Sequence, residues 1–542
     1  MKKTMSRLCL LLCLCLCAGA AAETALPAAP QPQWLTSLGN AVKQGNDAVN
    51  GFIWGIPMLV LLIGTGIYFT VRTGFFQVVY AKFVTNLTFF GLFKNKKVKG
   101  ITDKKAISQF QALSTALAAT IGVGNIAGVA TAITIGGPGA VFWMWFSAFF
   151  GMMTNYSENV LGIYFRRKNS NGEWSGGAMH YIENGFKGKK FWGRLAKPLA
   201  VLFSVFCVLA SFGIGNMSQV NTIASSINGT FGVPPVVIGI VLAILAGLVI
   251  IGGVKRIAKV AESVVPFMAI AYIIATMIIL IMNIAKIPAV FGEIFAGAFG
   301  VQAVGGGVSG VLMKQAITMG FKRGVFSNEA GLGSSVMVHS STDVKEPCVQ
   351  GIWGIFEVFF DTIVVCSLTA FAVLSTVDLS TTSAVGVNLV TQAFSTSFHS
   401  AAGAMLAVAV TLFAFTTVLG WSFYGTKAME YLFGVKSIIY YKIIFIVFIV
   451  VGAVMKLTLA WDISDTFNGL MAIPNLIGIL VLSGLVVKIT RNYVGRKIKG
   501  NTPDAEPMLS AYPDIQAWQE EEMRKDEGMG DAQPQTPPAA EA

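Results

Sequence analysis

Thr120-Ile121-Gly122-Val123-Gly124-Asn125-Ile126-Ala127-Gly128 lies inside residues 106–135, an apolar stretch long enough to cross a bilayer. About 20 apolar residues span a hydrocarbon core of about 30 Å. Glycines and an asparagine at the centre argue against an intact helix, because each unpaired backbone group in lipid costs several kcal/mol. A break is tolerable where the freed groups meet water, protein or a ligand. Freed amides at a half-helix N-terminus suit a carboxylate, and freed carbonyls suit a hard cation. Glycine allows the close approach. A zwitterionic amino acid with a cation is therefore a natural cargo for such a break. Two blander readings exist: Gly124-x-x-x-Gly128 is also a helix-packing pattern, and Gly122-x-Gly124 lacks the strand–turn–helix context of a dinucleotide site.

Working outward, a second interrupted stretch lies near 305–335. It carries Gly305-Gly306-Gly307, Gly320-Phe321-Lys322-Arg323-Gly324 and Ser327-Asn328-Glu329-Ala330-Gly331-Leu332-Gly333-Ser334-Ser335. Eleven spans are expected, near 53–71, 106–135, 139–165, 198–222, 235–252, 260–284, 308–335, 350–374, 401–424, 437–456 and 465–487. The last ten fall into two sets of five, 106–284 and 308–487, each opening on an interrupted helix and of opposite orientation. Paired glycine-broken helices in inverted halves point to a transporter's binding site. The expected fold is thus an all-α polytopic membrane protein of eleven transmembrane helices, ten of them in a 5+5 inverted-repeat core with two broken helices.

Composition agrees. Hydrophobic residues make up 54% and charged residues 12%, against about 25% charged in a soluble domain; mean hydropathy is +0.67. The net charge of +12 is topogenic. Basic residues gather in alternate loops, at Lys94, Lys96 and Lys97, at Arg166, Arg167 and Lys168, at Lys255 and Arg256, at Lys436 and Lys442, and from Lys488 to Lys499. This is the positive-inside pattern, and it leaves no nucleic-acid patch. Lys2, Lys3 and Arg7 precede the apolar run Leu8 to Cys17 and then Ala20-Ala21-Ala22. These features read as a signal peptide, residues 1–22, of a bacterial inner-membrane protein. Residues 23–51 would lie in the periplasm. Residues 52–105 would hold the first span and an interfacial helix from Phe75 to Phe93, and 285–307 an external loop. Residues 488–542 read as a cytoplasmic, acidic, proline-rich tail without stable structure, save a short helix near Ile515 to Asp526. The C-terminus would be cytoplasmic.

Other polar residues within spans are expensive and therefore informative. Gln219 lies in the third span of the first set; Thr416, Thr417 and Trp421 lie in the third of the second. Thr417 and Trp421, four apart, share a helix face. Glu158, Glu262, Glu357, Asp361 and Asp465 lie mostly near span ends, where capping or snorkelling explains them. No titratable residue is close to Asn125 in sequence, which favours sodium over a proton. His180, His339 and His399 share no motif, and Cys207, Cys348 and Cys366 form no CxxC pair. These absences argue against an enzyme and against any cofactor beyond a coupling ion. Polarity concentrated at two breaks is also unlike the continuous stripe of a channel.

The stretch Gly136-Gly137-Pro138-Gly139-Ala140-Val141-Phe142-Trp143-Met144-Trp145-Phe146-Ser147-Ala148-Phe149-Phe150-Gly151 closely resembles the signature of the alanine/glycine:cation symporter family. Gly124-Asn125-Ile126-Ala127-Gly128-Val129-Ala130, Arg323 to Gly333 and Phe413 to Gly425 resemble further blocks. The resemblance covers roughly 50–490 and implies the inverted-repeat fold of sodium-coupled amino-acid transporters. It implies that Gly122, Gly124 and Asn125 receive the substrate carboxylate, with Gln219 nearby. Thr417 and Trp421 would line the side-chain end, leaving room for alanine or glycine, and Phe321 would close the pocket. It also implies a sodium site from the carbonyls of Ala118, Ile121 and Phe413 with the hydroxyls of Thr416 and Thr417, and a weaker second cation near Thr120 and Asn125. Val336-Met337-Val338, where relatives often carry Pro-Ile-Ala, departs from the pattern.

Overall fold

The computed structural model describes residues 33–300, 306–455 and 458–526. The expected signal segment and the chain beyond residue 526 lie outside the described residues. Helix occupies each of the eleven stretches read as spans. Among the described residues six helices are long and apolar enough to cross a membrane alone, or eight if each of two bent pairs counts as one. The principal elements are α1 (Ile56–Arg72), α2 (Gln109–Thr120), α3 (Val129–Gly136), α4 (Gly139–Tyr164), α5 (Lys190–Phe212), α6 (Ser218–Phe231), α7 (Gly253–Met282), α8 (Gly306–Asn328), α9 (Pro347–Val358), α10 (Ala402–Phe433), α11 (Thr458–Val481), α12 (Ser483–Tyr493) and α13 (Pro513–Asp526).

Neither α4 nor α8 is among the six, although both occupy stretches read as spans and both are long enough. For α4 the reason is its place in the molecule. The half of α4 from Met152 to Ile163 is buried throughout, polar Thr154, Asn155, Ser157, Glu158 and Asn159 included, against α9 and α8. A helix that meets protein on all sides need not be apolar. Lipid-facing character falls instead on the Pro235–Ile250 helix and α7, where Val237, Ile244, Leu248, Ile270, Ile274 and Ile281 are exposed.

The first break is where the sequence places it. Ser108 and Gln111 cap the start of α2 reciprocally, each side chain bonding the other's backbone amide at 3.1 Å, a capping box. Gln111 also donates to Glu262 on α7 (2.9 Å), which gives that carboxylate a structural role. The helix stops at Ile121, whose backbone is extended. It resumes through a π-turn, Gly124–Gly128, into α3, bent by 50°. At the second break, α8 ends at Asn328, and Glu329, Gly331 and Gly333 adopt φ values of 56°, 92° and 72°. Such left-handed backbone favours glycine.

Three parts of the expected organisation differ. The external loop 285–307 contains a helix, Ile287–Phe299, and the interfacial segment is several short helices rather than one, among them Phe76–Val79 and Ala81–Leu87. The tail read as unstructured is ordered to Asp526. Ala511 N donates to Tyr164 O (2.9 Å), Arg167 lies over the Tyr512 ring (4.2 Å) and pairs with Asp514 (3.3 Å), and Trp518 meets Trp174 with centroids 6.1 Å apart. Composition misled because the tail's few apolar residues dock on a surface that is already formed, a two-stranded ribbon of Arg167–Lys168 and Trp174–Ser175. Beneath that ribbon Arg166 is buried, donating to the carbonyls of Ser340 (3.1 Å), Thr342 (2.5 Å) and Val344. Burial pushes its guanidinium down to about 10, so it stays charged at neutral pH.

Candidate functional site at the first break

The break is held together by side chains from four elements. Asn125 Oδ1 accepts from Gly122 N at 2.9 Å, closing the turn locally. Its Nδ2 donates to Asp361 Oδ1 at 2.7 Å, in the π-helical segment Phe359–Cys366, and also approaches Cys366 Sγ at 3.3 Å. Gln219 Oε1, from α6, accepts from Val123 N at 3.3 Å, while its Nε2 donates to Ile214 O at 3.0 Å. The backbone amides of Gly122 and Val123 are thus donors gathered on one turn. Each is bonded to a neutral amide oxygen that a carboxylate would outcompete, since charge-assisted bonds are roughly twice as strong.

On the other side of the turn stand oxygens. Thr417 Oγ1, on α10, lies 3.1 Å from Ala118 O, 3.5 Å from Ile121 O and 3.0 Å from Phe413 O. Thr416 Oγ1 lies 2.9 Å from Phe413 O, but also faces Met268 of α7 at 3.5 Å. All of these residues are buried. Carbonyls and a hydroxyl converging from two helices are oxygen donors of the kind a hard cation takes. Thr120 is turned back on its own helix, bonding Ala116 O at 3.2 Å.

Space is tight. A Cβ on Gly122 would stand 2.4 Å from Thr417 Oγ1 and 3.4 Å from Gln219 Oε1. Trp421, one turn along α10, lies against Gly215, where a Cβ would meet Trp421 Cβ at 2.3 Å and the indole at 2.4 Å. The structure therefore brings Gly122, Asn125, Gln219 and Thr417 together with the carbonyls of Ala118, Ile121 and Phe413, and sets Trp421 just beyond.

Phe321 is not among them. It packs on Trp143 and Phe146 of α4, with centroids 5.8 and 6.1 Å away. Phe326 is the aromatic residue over the break, with ring atoms 3.2 and 3.3 Å from a Cβ placed on Gly124. Five residues along a helix point to different faces, and sequence alone gives no phase for α8.

Asp361 is the other residue whose place could not be read. It is fully buried, and Thr362 Oγ1 donates to its second oxygen at 2.8 Å. The expectation that no titratable group stands near Asn125 thus holds along the chain but not in space. An aspartate midway along the span 350–374 was the available signal.

Broken helices buried in a polytopic helical bundle, with amides and carbonyls gathered at one turn, define a membrane transporter for a small polar solute and its coupling cation. The chain belongs to the sodium:alanine symporter family, whose model matches residues 39–507. A sodium/alanine symporter, AgcS, of Methanococcus maripaludis is 46% identical over 82% of this chain and 96% of its own. Two Bacillus subtilis relatives are each 36% identical. The putative sodium/proton-dependent alanine carrier YrbD matches over 88% of this chain and 97% of its own. The probable sodium/glutamine symporter GlnT matches over 86% and 94%. The protein is therefore a multi-pass membrane transporter that moves an amino acid with a cation, and not an enzyme.

Proposed function

We propose that this transporter imports a small neutral amino acid, alanine or glycine, with sodium, by alternating access between the two sides of a bacterial inner membrane. The observation that carries the reading is the two-sided break: amides of Gly122 and Val123 on one side of a turn, oxygens of Ala118, Ile121, Phe413 and Thr417 on the other. A carboxylate would replace the side-chain amides now bonded to the backbone donors, and sodium would sit among the oxygens. The closeness of Thr417 to Gly122 and the indole of Trp421 limit the cargo to little more than a methyl side chain. Eleven crossings, with ten in a 5+5 inverted repeat, a periplasmic N-terminus and a cytoplasmic C-terminus, fit the helix positions and the basic loops.

The energetics suffice with one ion. A single charge moving inward across 100 mV releases about 2.3 kcal/mol, which supports on the order of 40-fold accumulation at about 1.4 kcal/mol per tenfold ratio.

One observation favours a second reading, a proton in place of sodium. Asp361 stands 2.7 Å from Asn125 with no Lys or Arg bonded to it among the described residues, so a buried carboxylate at the break needs a cation or a proton for charge balance. Relatives named for sodium/proton-dependent alanine transport and for glutamine transport mark the two directions in which the reading can fail. Uptake of labelled amino acid under separate sodium and proton gradients distinguishes them.

A further inference from the structure

Next to the break, and parted from it by Phe326, lies a cavity of about 540 Å³. Val123, Ala127 and Thr131 form part of its wall on the α3 side. Four charged residues face it, Lys322 and Arg323 from α8 and Asp462 and Asp465 from α11, two of each sign. Lys322 Nζ holds Asp465 Oδ2 at 2.5 Å. The other oxygen, Asp465 Oδ1, is buried and has no hydrogen-bond partner among the described residues. Arg323 lies over the Phe326 ring at 5.5 Å, and its buried Nε likewise has no hydrogen-bond partner among them. An ion pair that merely ties α8 to α11 accounts for Lys322 and one carboxylate oxygen. It leaves one guanidinium nitrogen and one carboxylate oxygen without a hydrogen-bond partner beside one cavity, an arrangement that costs free energy unless a ligand takes them up.

We propose that this cavity is a second amino-acid-binding station, in which Arg323 takes the carboxylate and Asp465, with Asp462, takes the ammonium group. The lining is dipolar and carries no net charge, which suits a zwitterion and disfavours a cargo of net charge. A planar guanidinium with parallel donors matches a carboxylate in a way a lysine does not. The cavity is roomier than the break, where Thr417 and Gln219 crowd Gly122. The station therefore admits larger neutral amino acids than the break passes, and selectivity resides at the break. Phe326 floors the cavity and covers Gly124, so passage from station to break requires that ring to move. The inference rests on the reading of the cargo as a zwitterionic amino acid.

The test is equilibrium binding of labelled alanine to the full chain in lipid nanodiscs with sodium, scored as equivalents per chain. Two equivalents are expected for the wild type, one of them displaced by unlabelled leucine, and Arg323→Gln should retain only the equivalent that leucine does not displace. Arg323→Lys keeps the charge but not the fork, and should weaken the leucine-sensitive equivalent on the order of tenfold while thermal unfolding stays that of the wild type. A single equivalent in the wild type, or two unchanged in both variants, would overturn the station and leave the transport reading intact. No binding of alanine, glycine or leucine at all would overturn both.

Discussion

Asn125 bonds across the first break in two directions, accepting from Gly122 N and donating to Asp361. Asn125→Ala removes both bonds and leaves one oxygen of the buried Asp361 carboxylate without its Asn125 donor, so coupled uptake should fall to background while the protein still reaches the membrane; uptake at the wild-type rate would remove Asn125 from the site. At Gly122 even a methyl group collides with Thr417 at 2.4 Å. Gly122→Ala should therefore cost at least tenfold in uptake, and uptake at the wild-type rate would show that the Thr417 hydroxyl gives way without harm to the site. Trp421→Ala should widen the accepted range towards bulkier neutral amino acids, and an unchanged range in competition assays would place the indole away from the cargo. Asn125, Gly122 and Thr417 were legible because glycine and polar residues inside a span are conspicuous. Asp361 was conspicuous too, but its partner is 236 positions away and only folding joins them. Phe326 was missed for another reason, since a residue's face depends on the phase of its helix.

The second break shows what an element contributes beyond its residues. Gly331 holds a φ of 92°, and a Cβ there would stand 2.7 Å from Leu62 of α1. Gly333 holds a φ of 72° beside Asn475, whose Nδ2 donates to Gly331 O at 2.9 Å and to Glu158 at 2.5 Å. The irregular segment is thus clasped by α1, α4 and α11 rather than left loose. Gly331→Ala forces an alanine into left-handed backbone, at about 1–2 kcal/mol, and adds the clash with Leu62. It should lower the unfolding midpoint in detergent, and a midpoint equal to wild type would mean the segment relaxes at little cost. Both breaks were visible in the sequence because a cluster of glycines weakens a helix, and an apolar span keeps one only where its backbone must bend or be approached closely. Nothing in the sequence revealed that protein covers the polar half of α4 from Met152 to Ile163, since periodicity reports how apolar a face is and not what covers it.

Across the whole molecule, the two breaks share one bundle and the tail closes over the end that carries Arg166. Helix α13 reaches the ribbon through Trp518 and Asp514, and Tyr512 just before it adds a third contact. Trp518→Ala removes one aromatic contact of about 1 kcal/mol. It should make the tail more open to protease without abolishing uptake, and unchanged proteolysis would show that the other contacts suffice. That docking was illegible from composition, which counts apolar residues but not the partners waiting for them. The claim on which the rest depends is sodium-driven uptake of a small amino acid, and it is tested most directly by labelled-alanine uptake into proteoliposomes with and without an inward sodium gradient. Accumulation only with sodium, blocked by glycine and not by leucine at concentrations that leave the second station unfilled, is the expected result. Accumulation that follows a proton gradient and ignores sodium would contradict it, keep the fold, and turn attention to Asp361 as the coupling group.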